Sequence, residues 1–193
     1  MALLAERVQR LQPSPTLAVT ARAAELKAQG RDIIGLGAGE PDFDTPEHIK
    51  EAAIRAIREG QTKYTAVGGT PALKRAVIEK FRRENHLHYK PNQILVSCGG
   101  KQSFFNLCQA LLNPGAEAVI PAPYWVSYPE MVALAGAIPI MPYAGPEQHY
   151  RLGPEQLERA ITKRTRLLVI NSPSNPTGMA YNHAELAAFG EVL

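Results

Sequence analysis

Cysteine is nearly absent from this sequence: Cys98 and Cys108, ten residues apart, are the only two in 193 residues. One ends an apolar run and the other falls inside a helical pattern, so no disulfide framework is indicated; thiols in a reducing compartment are the simpler reading. Long apolar runs are missing too. The greasiest stretch, MVALAGAIPIM from Met131, is broken by Pro139 and falls far short of the ~20 residues a membrane span needs. The opening MALLAERVQR has no apolar core ahead of its charges, so a secretory signal is not expected; the expectation is a cytoplasmic protein with no membrane partner. No sign of charge dominates. Lys and Arg number 21 against 18 Asp and Glu, and the cations alternate with Glu in KEAAIRAIREG and KRAVIEKFRREN. That texture suits solvated helix faces rather than a nucleic-acid stripe, and no nucleic-acid partner is expected. Repeats and low-complexity tracts are lacking as well. With 45% hydrophobic and 20% charged residues, what remains is an ordinary globular chain of one to two domains.

Three helices announce themselves by their starts. In DTPEHIKEAAIRAIREG, Thr45 is placed to cap and Pro46 to open a helix whose inner face is Ile49, Ala52, Ala53, Ala56 and Ile57, closed by Gly60. In GTPALKRAVIEKFRREN, Thr70 and Pro71 repeat the grammar, with Leu73, Ala76, Val77 and Phe81 inward. An earlier helix is expected from about Thr16 to Gln29. From Gln93 onward the texture changes: ILVSC, AVIPA, AIPIM and LLVIN read as strands, separated by the helical segments KQSFFNLCQALL, SYPEMVALAG and PEQLERAI. Strand and helix alternating at this spacing imply a mostly parallel sheet with helices on its faces, with the turn from arm to α/β region placed near Pro46.

In open α/β sheets ligands bind beyond the carboxyl ends of the strands, so the segments after the strands carry the chemistry. Those segments are GGKQ, PYWVSY and SPSNPTG. Gly99, Gly100 and Lys101 stand between a strand and a helix, where backbone N–H groups and the positive helix end suit a phosphate, although such a turn also serves structure alone. It is not a P-loop, because Leu95 stands where the first glycine is required. GLGAGEPD is not a dinucleotide fingerprint either: Glu40 replaces the third glycine and Pro41 follows where a helix should open. Cys98 before a helix is read as a buried inert thiol lacking an evident base, and His86 and His88 as surface-loop residues without metal-ligand company. Trp125, the single tryptophan, lies between Tyr124 and Tyr128; it suits either stacking on a planar ring or filling a helix–sheet gap. Asn175 before Pro176 is either a turn former or an amide donor aimed at a ligand.

Phosphate cradle, flat aromatic and amide donor together describe a site for a phosphorylated aromatic ring. At this point the segments GLGAGEPDFDTP, TKYTAVGGTPALKRA, GGKQ, PAPYWVSYPEM and NSPSNPTG resemble the class I, fold-type I aminotransferases, most like the bacterial aspartate aminotransferase branch. The resemblance implies pyridoxal 5'-phosphate as cofactor and a three-layer α/β fold with a mostly parallel sheet. It implies an incomplete fold here: residues 1–45 as N-terminal arm and part of a small domain, 46–193 as the first part of the cofactor-binding large domain. By that resemblance Gly99, Gly100 and Lys101 hold the phosphate, Trp125 stacks on the ring, Asn175 bonds the ring oxygen and Tyr64 reaches the cofactor phosphate of a neighbouring subunit, so a homodimer with shared sites is implied. For the substrate, an L-amino acid and a 2-oxo acid, it implies contacts from Gly39, Trp125, Asn175, Lys101, Ser14 and Thr16. Family chains are roughly twice this long, and the lysine that carries the cofactor matches no position here, so the catalytic set is expected to be incomplete and the isolated chain inactive. Alternatives are aromatic, prephenate, alanine or kynurenine aminotransferases on the same scaffold, or a non-catalytic fragment.

Overall fold

A computed structural model of the chain describes residues 3–37 and 39–193; Ala38, inside GLGAGEPD, lies outside the described residues, as do Met1 and Ala2 of the opening segment. The chain divides into two compact units, Met1–Gln12 with Gly99–Leu193, and Pro13–Cys98.

The first unit holds the sheet. Strands β1 (Glu117–Val119), β2 (Ile138–Ile140) and β3 (Thr165–Leu168) are parallel in the order β2-β1-β3. β1 pairs with β2 through Glu117↔Ile138 to Val119↔Ile140, and with β3 through Ala118↔Leu167 and Val119↔Leu168 after an irregularity at Glu117. The pairing runs on past the strand ends, since Ile120 N–H donates to the Ile140 carbonyl at 2.8 Å and Val169 N–H to Val119 at 2.9 Å. Pro139, which cannot donate to a ladder, sits in edge strand β2, where that loss is tolerated.

Alternation along β1 sorts its residues between two cores. Ala118 and Ile120 pack with Cys108 and Leu112 at the end of α5 (Gly100–Leu111) and with Met131 and Val132 of α6 (Ser127–Leu134). Val119 faces the other way, onto Leu157 of α7 (Pro154–Ala160) and Phe189 of α8 (His183–Val192). Helices therefore cover both faces, and the three-layer parallel α/β reading holds. Glu117, 1% exposed, is the one buried charge among the described residues; its carboxylate accepts from the Thr162 hydroxyl and pairs with the Arg164 guanidinium. The Thr162 hydroxyl first, and Arg164 after it, hold the Glu117 carboxyl below the usual carboxylate range. A short helix, α1 (Glu6–Gln9), also belongs to this unit, and Gln12 N–H beyond it reaches Glu130 of α6 at 3.4 Å.

Two expectations need correction in the sheet and its approach. ILVSC joins no strand: its Val96 N–H goes to the Gly68 carbonyl at 3.1 Å. A segment with strand composition becomes a strand only when a neighbour takes its ladder groups in succession, and among the described residues no strand pairing includes this run. Gly69 is obligatory at that crossing, since its φ is +102° and a Cβ there would lie 2.5 Å from Val96 Cγ2. Cys98, at the end of this run, is exposed rather than buried; it is Cys108 that is buried, and burial pushes its thiol up to about 11.

In the second unit, α2 (Pro15–Ala28) is capped by Ser14, whose Oγ accepts the Leu17 N–H at 3.4 Å. Thr70 caps α4 (Pro71–Asn85) as expected, accepting from Leu73 N–H at 3.3 Å, and exposed His86 ends it in the left-handed conformation. For α3 (Glu47–Arg58) the expected cap is wrong: Pro46 itself takes the cap position and Thr45 makes no cap bond. The apolar faces read as inward are not buried either. Ile49 is 49% exposed, Ile57 66% and Leu73 45%, because no described element lies over them.

Candidate active site

Beyond the carboxyl ends of the strands, two of the three loops singled out by sequence converge on one cleft. It has a volume of about 520 Å³ and is lined by Gly100, Lys101, Phe104 and Leu107 of α5, by Trp125 and Tyr128, and by the run from Leu167 to Ile170. Ligand sites typically enclose about 300–1,000 Å³, so this is room for a substituted six-membered ring.

The geometry at the start of α5 explains its glycines. Gly99 occupies the cap position with φ +87°, a conformation that disfavours any side chain, and the helix has no side-chain cap. Gly100 has an ordinary φ, and a Cβ added at either glycine meets nothing within 4 Å. Packing does not exclude a side chain at Gly100; the open space beside a helix N-terminus is what an anion requires. Ser103 N–H and Oγ both turn back to the Gly99 carbonyl, at 3.3 and 3.4 Å, tightening the turn.

Trp125 is half-buried and braced. Its ring meets Tyr128 edge-on at 5.3 Å, and Tyr128 in turn meets Phe104 at 4.9 Å. Lys101 and Phe104, three apart on α5, are on one side of that helix, and Lys101 Nζ lies 4.8 Å from the Trp125 ring centroid. Aromatic ladder and cation thus fix the indole from two sides while the cleft remains beside it.

Asn175 is not in the cleft lining. It is carried on the loop that follows β3, which turns on its own hydrogen bonds: Gly178 N–H to Ser174 carbonyl at 2.7 Å, Ser174 N–H to Met179 carbonyl at 2.8 Å, and Tyr181 N–H to Ser172 Oγ at 3.0 Å. The Asn175 backbone N–H donates to Asn171 Oδ1 at 2.9 Å, and among the described residues its own carboxamide engages nothing. Below the loop, the Tyr181 hydroxyl accepts the Leu152 N–H at 2.9 Å; burial pushes this phenol above its ordinary value. A water-sized pocket of about 20 Å³ lies there, with Tyr124, Tyr128, Tyr150, Asn171 and Tyr181 in its wall. Sequence reasoning passed over Asn171, Ser172, Tyr150 and Tyr181. Nothing in the sequence marks Tyr150, although it and His149 take positive φ without being glycine.

The remaining candidates belong to the second unit. Gly39 is exposed, outside any helix or strand, with open space around it. Tyr64 is fully exposed on the loop before α4. Ser14 is engaged as the α2 cap, and Thr16, in the first turn of α2, takes the Thr20 hydroxyl on its carbonyl at 2.9 Å. A larger groove of about 830 Å³ runs between α2 and Ile33–Gly37, but it is lined mainly by apolar residues and none of the sequence candidates contributes to it.

A parallel sheet with an anion-suited helix start, a braced indole and a stapled Asn-Pro-Thr-Gly loop at its carboxyl edge defines a class: the chain belongs to the aminotransferase class I and II family, which it matches over residues 31–193. Within that class its relatives are specific. It is 63% identical to the aspartate/prephenate aminotransferase of Nitrosomonas europaea over 98% of its own length, and 55% identical to the aspartate aminotransferase of Bacillus subtilis over 98%. The solved aspartate aminotransferase of Thermus thermophilus with maleate superposes with a TM-score of 0.96 at 52% identity, covering 100% of this chain and 50% of that one. The chain spans about half the length of the curated relatives it matches, 48% of each of these two.

Proposed function

We propose that the complete protein carrying this chain transfers the amino group of L-aspartate to a 2-oxo acid such as 2-oxoglutarate, with pyridoxal 5'-phosphate as cofactor. The observation that carries this reading is the cleft in which Gly100, Lys101 and Trp125 meet, in a chain 63% identical to an enzyme named for aspartate. The residues present fit the group: open space at a helix start for its phosphate, an indole face for its ring and a cation beside both.

Bound there, pyridoxal phosphate supplies an aldehyde that condenses with amines and a ring that draws off the electron pair released when the substrate Cα loses its proton. The chain's own residues bind and orient. The Gly99–Lys101 turn anchors the phosphate through backbone N–H groups and the helix dipole. Trp125 stacks on the ring and keeps water from one face, and Asn175 donates from its carboxamide to the ring oxygen. Lys101 also receives the distal carboxylate of an acidic substrate, Gly39 N–H its α-carboxylate, and Ser14 and Thr16 close over it. In this reading Ser14 keeps its capping role, since a hydroxyl can accept one bond and donate another. Tyr64 reaches the phosphate in the neighbouring subunit of a homodimer. Residues 1–45 serve as arm and part of a small domain, and 46–193 begin the large domain. The proton-transferring lysine, the aspartate at the ring nitrogen and the arginine for the α-carboxylate match no position in 1–193 and fall to the remainder of the complete protein.

Relatives with aspartate/prephenate in their names, at 63% and 62% identity, favour prephenate as a second amino acceptor. Maleate, held by the Thermus thermophilus relative, is a four-carbon dicarboxylate and supports an acidic substrate. The test is kinetic, on the complete protein. Trp125→Ala and Asn175→Ala should lower turnover or weaken cofactor binding, and Lys101→Ala should raise KM for aspartate more than for an aromatic amino acid. Unchanged kinetics together with an unchanged cofactor absorption band would refute the assignment.

A further inference from the structure

We propose that Asn171 is a positioning residue for Asn175, holding the loop after β3 through a two-ended carboxamide clamp. This rests on the reading of Asn175 as the donor to the cofactor's ring oxygen. Asn171 Oδ1 accepts the Asn175 backbone N–H at 2.9 Å, while Asn171 Nδ2 donates to the Pro173 carbonyl at 3.2 Å. Both ends are committed, so the amide has one satisfactory orientation: turned over, its NH₂ would face an N–H and its oxygen a carbonyl. Pro173 and Pro176 have no N–H of their own, and the loop's internal bonds, Gly178 to Ser174 and Ser174 to Met179, leave the Asn175 N–H to Asn171. Asn171 is itself half-buried against the small pocket shared with Tyr128, Tyr150 and Tyr181, so the clamp is seated on the sheet rather than floating with the loop.

The residue type is demanded by the geometry. Aspartate at 171 keeps an acceptor for the Asn175 N–H but sets a second oxygen against the Pro173 carbonyl, and alanine removes both contacts. Releasing the clamp lets the Asn175 carboxamide drift from an oxygen that carries negative charge, and a charge-bearing acceptor that loses its donor holds its proton to higher pH.

The test uses the complete protein, with and without added pyridoxal phosphate. In the cofactor-free protein, Asn171→Ala should accelerate hydrogen exchange of the Asn175 amide by roughly fivefold or more, the loss expected for one hydrogen bond. In the loaded protein it should raise the pH midpoint of the visible cofactor band in the same direction as Asn175→Ala, and should add nothing in the Asn175→Ala background. Asn171→Asp, which keeps one contact, should lie between wild type and Asn171→Ala in both readouts and covers the case in which the alanine variant does not fold. Exchange and midpoint both unmoved, or a midpoint shift of equal size in the Asn175→Ala background, overturn the clamp. A midpoint that Asn175→Ala itself fails to move refutes the ring-oxygen role of Asn175 and the positioning claim with it. That failure is told apart from failure of the clamp because Asn175 exchange still accelerates in Asn171→Ala.

Discussion

Expressing residues 1–193 by themselves is the severest test of how this structure is held together. Every fully buried apolar residue described lies between Cys108 and Phe189, in the sheet unit. The other unit, Pro13–Cys98, spans 86 residues and contains no buried one among the described residues. Ordering a backbone costs about 1–2 kcal/mol per residue. Burial of an apolar core is the term that normally offsets such a cost, and the described residues of this unit supply none. Its helices α3 and α4 are 12 and 15 residues long, and isolated helices shorter than ~12–15 residues are marginal in water. The apolar face of α3, with Ile49 about half and Ile57 about two-thirds exposed, and the edge of β3 opposite β1 both invite association. The isolated chain should therefore self-associate, and its amides in α3 and α4 should exchange near the unfolded rate while those of β1, α5 and α6 stay protected. Size-exclusion chromatography with light scattering and hydrogen exchange by mass spectrometry read both. A monomer with one sharp two-state melt and protected amides throughout α3 and α4 would refute the reasoning.

Other consequences are local. Leu157, fully buried against Val119, Leu152 and Phe189, should cost about 2–5 kcal/mol as Leu157→Ala in the complete protein, measured as the shift in a urea unfolding curve. Cys108, with its thiol at about 11, is about one part in a thousand thiolate at pH 8 and should resist iodoacetamide until the protein unfolds. Because its pKa is raised in the fold, its contribution to stability is complete below the unfolded value near ~8.5 and is lost as pH rises toward 11. Wild type minus Cys108→Ala melting temperatures, followed from pH 8 upward, should narrow. Glu117 has the opposite sign: its carboxyl is depressed, so its contribution is present above the usual glutamate value and is lost as pH falls through the lower folded one. Glu117→Gln should destabilise at neutral pH, and its gap from wild type in melting temperature should narrow as acid protonates the carboxyl; a gap that stays constant from neutral pH into acid would contradict the Thr162–Glu117–Arg164 arrangement.

How much of this was legible in the sequence differs by element. The alternation of apolar runs with amphipathic stretches gave β1, β2 and β3 with the helices α5, α6 and α7, because each buries one face against a neighbour encoded nearby. ILVSC misled for the same reason in reverse: β composition says that a segment suits a pleated neighbour and nothing about whether one is at hand. The α3 and α4 stripes are true amphipathic patterns without a covering partner among the described residues. α8 was overlooked, although Asn182 and Glu185 form a capping box that the sequence displays, with Asn182 Oδ1 accepting the Glu185 N–H at 2.9 Å. In the site, Gly99 to Lys101 and Trp125 could be found because they follow apolar runs and have unusual chemistry for loops. Asn171 could not: its role is a contact with a backbone four residues onward, which composition does not reveal.

The braced indole has an optical consequence. Trp125 is the only tryptophan in these 193 residues and stands in the wall of the cleft, with a lysine ammonium 4.8 Å from its ring and Tyr128 touching its edge. Indole emission responds to nearby charge and to exclusion of water, so the wavelength and intensity of this chain's fluorescence report what fills the cleft. Compounds of different shape can therefore be ranked against the cleft by their quenching alone, without a label and without turnover.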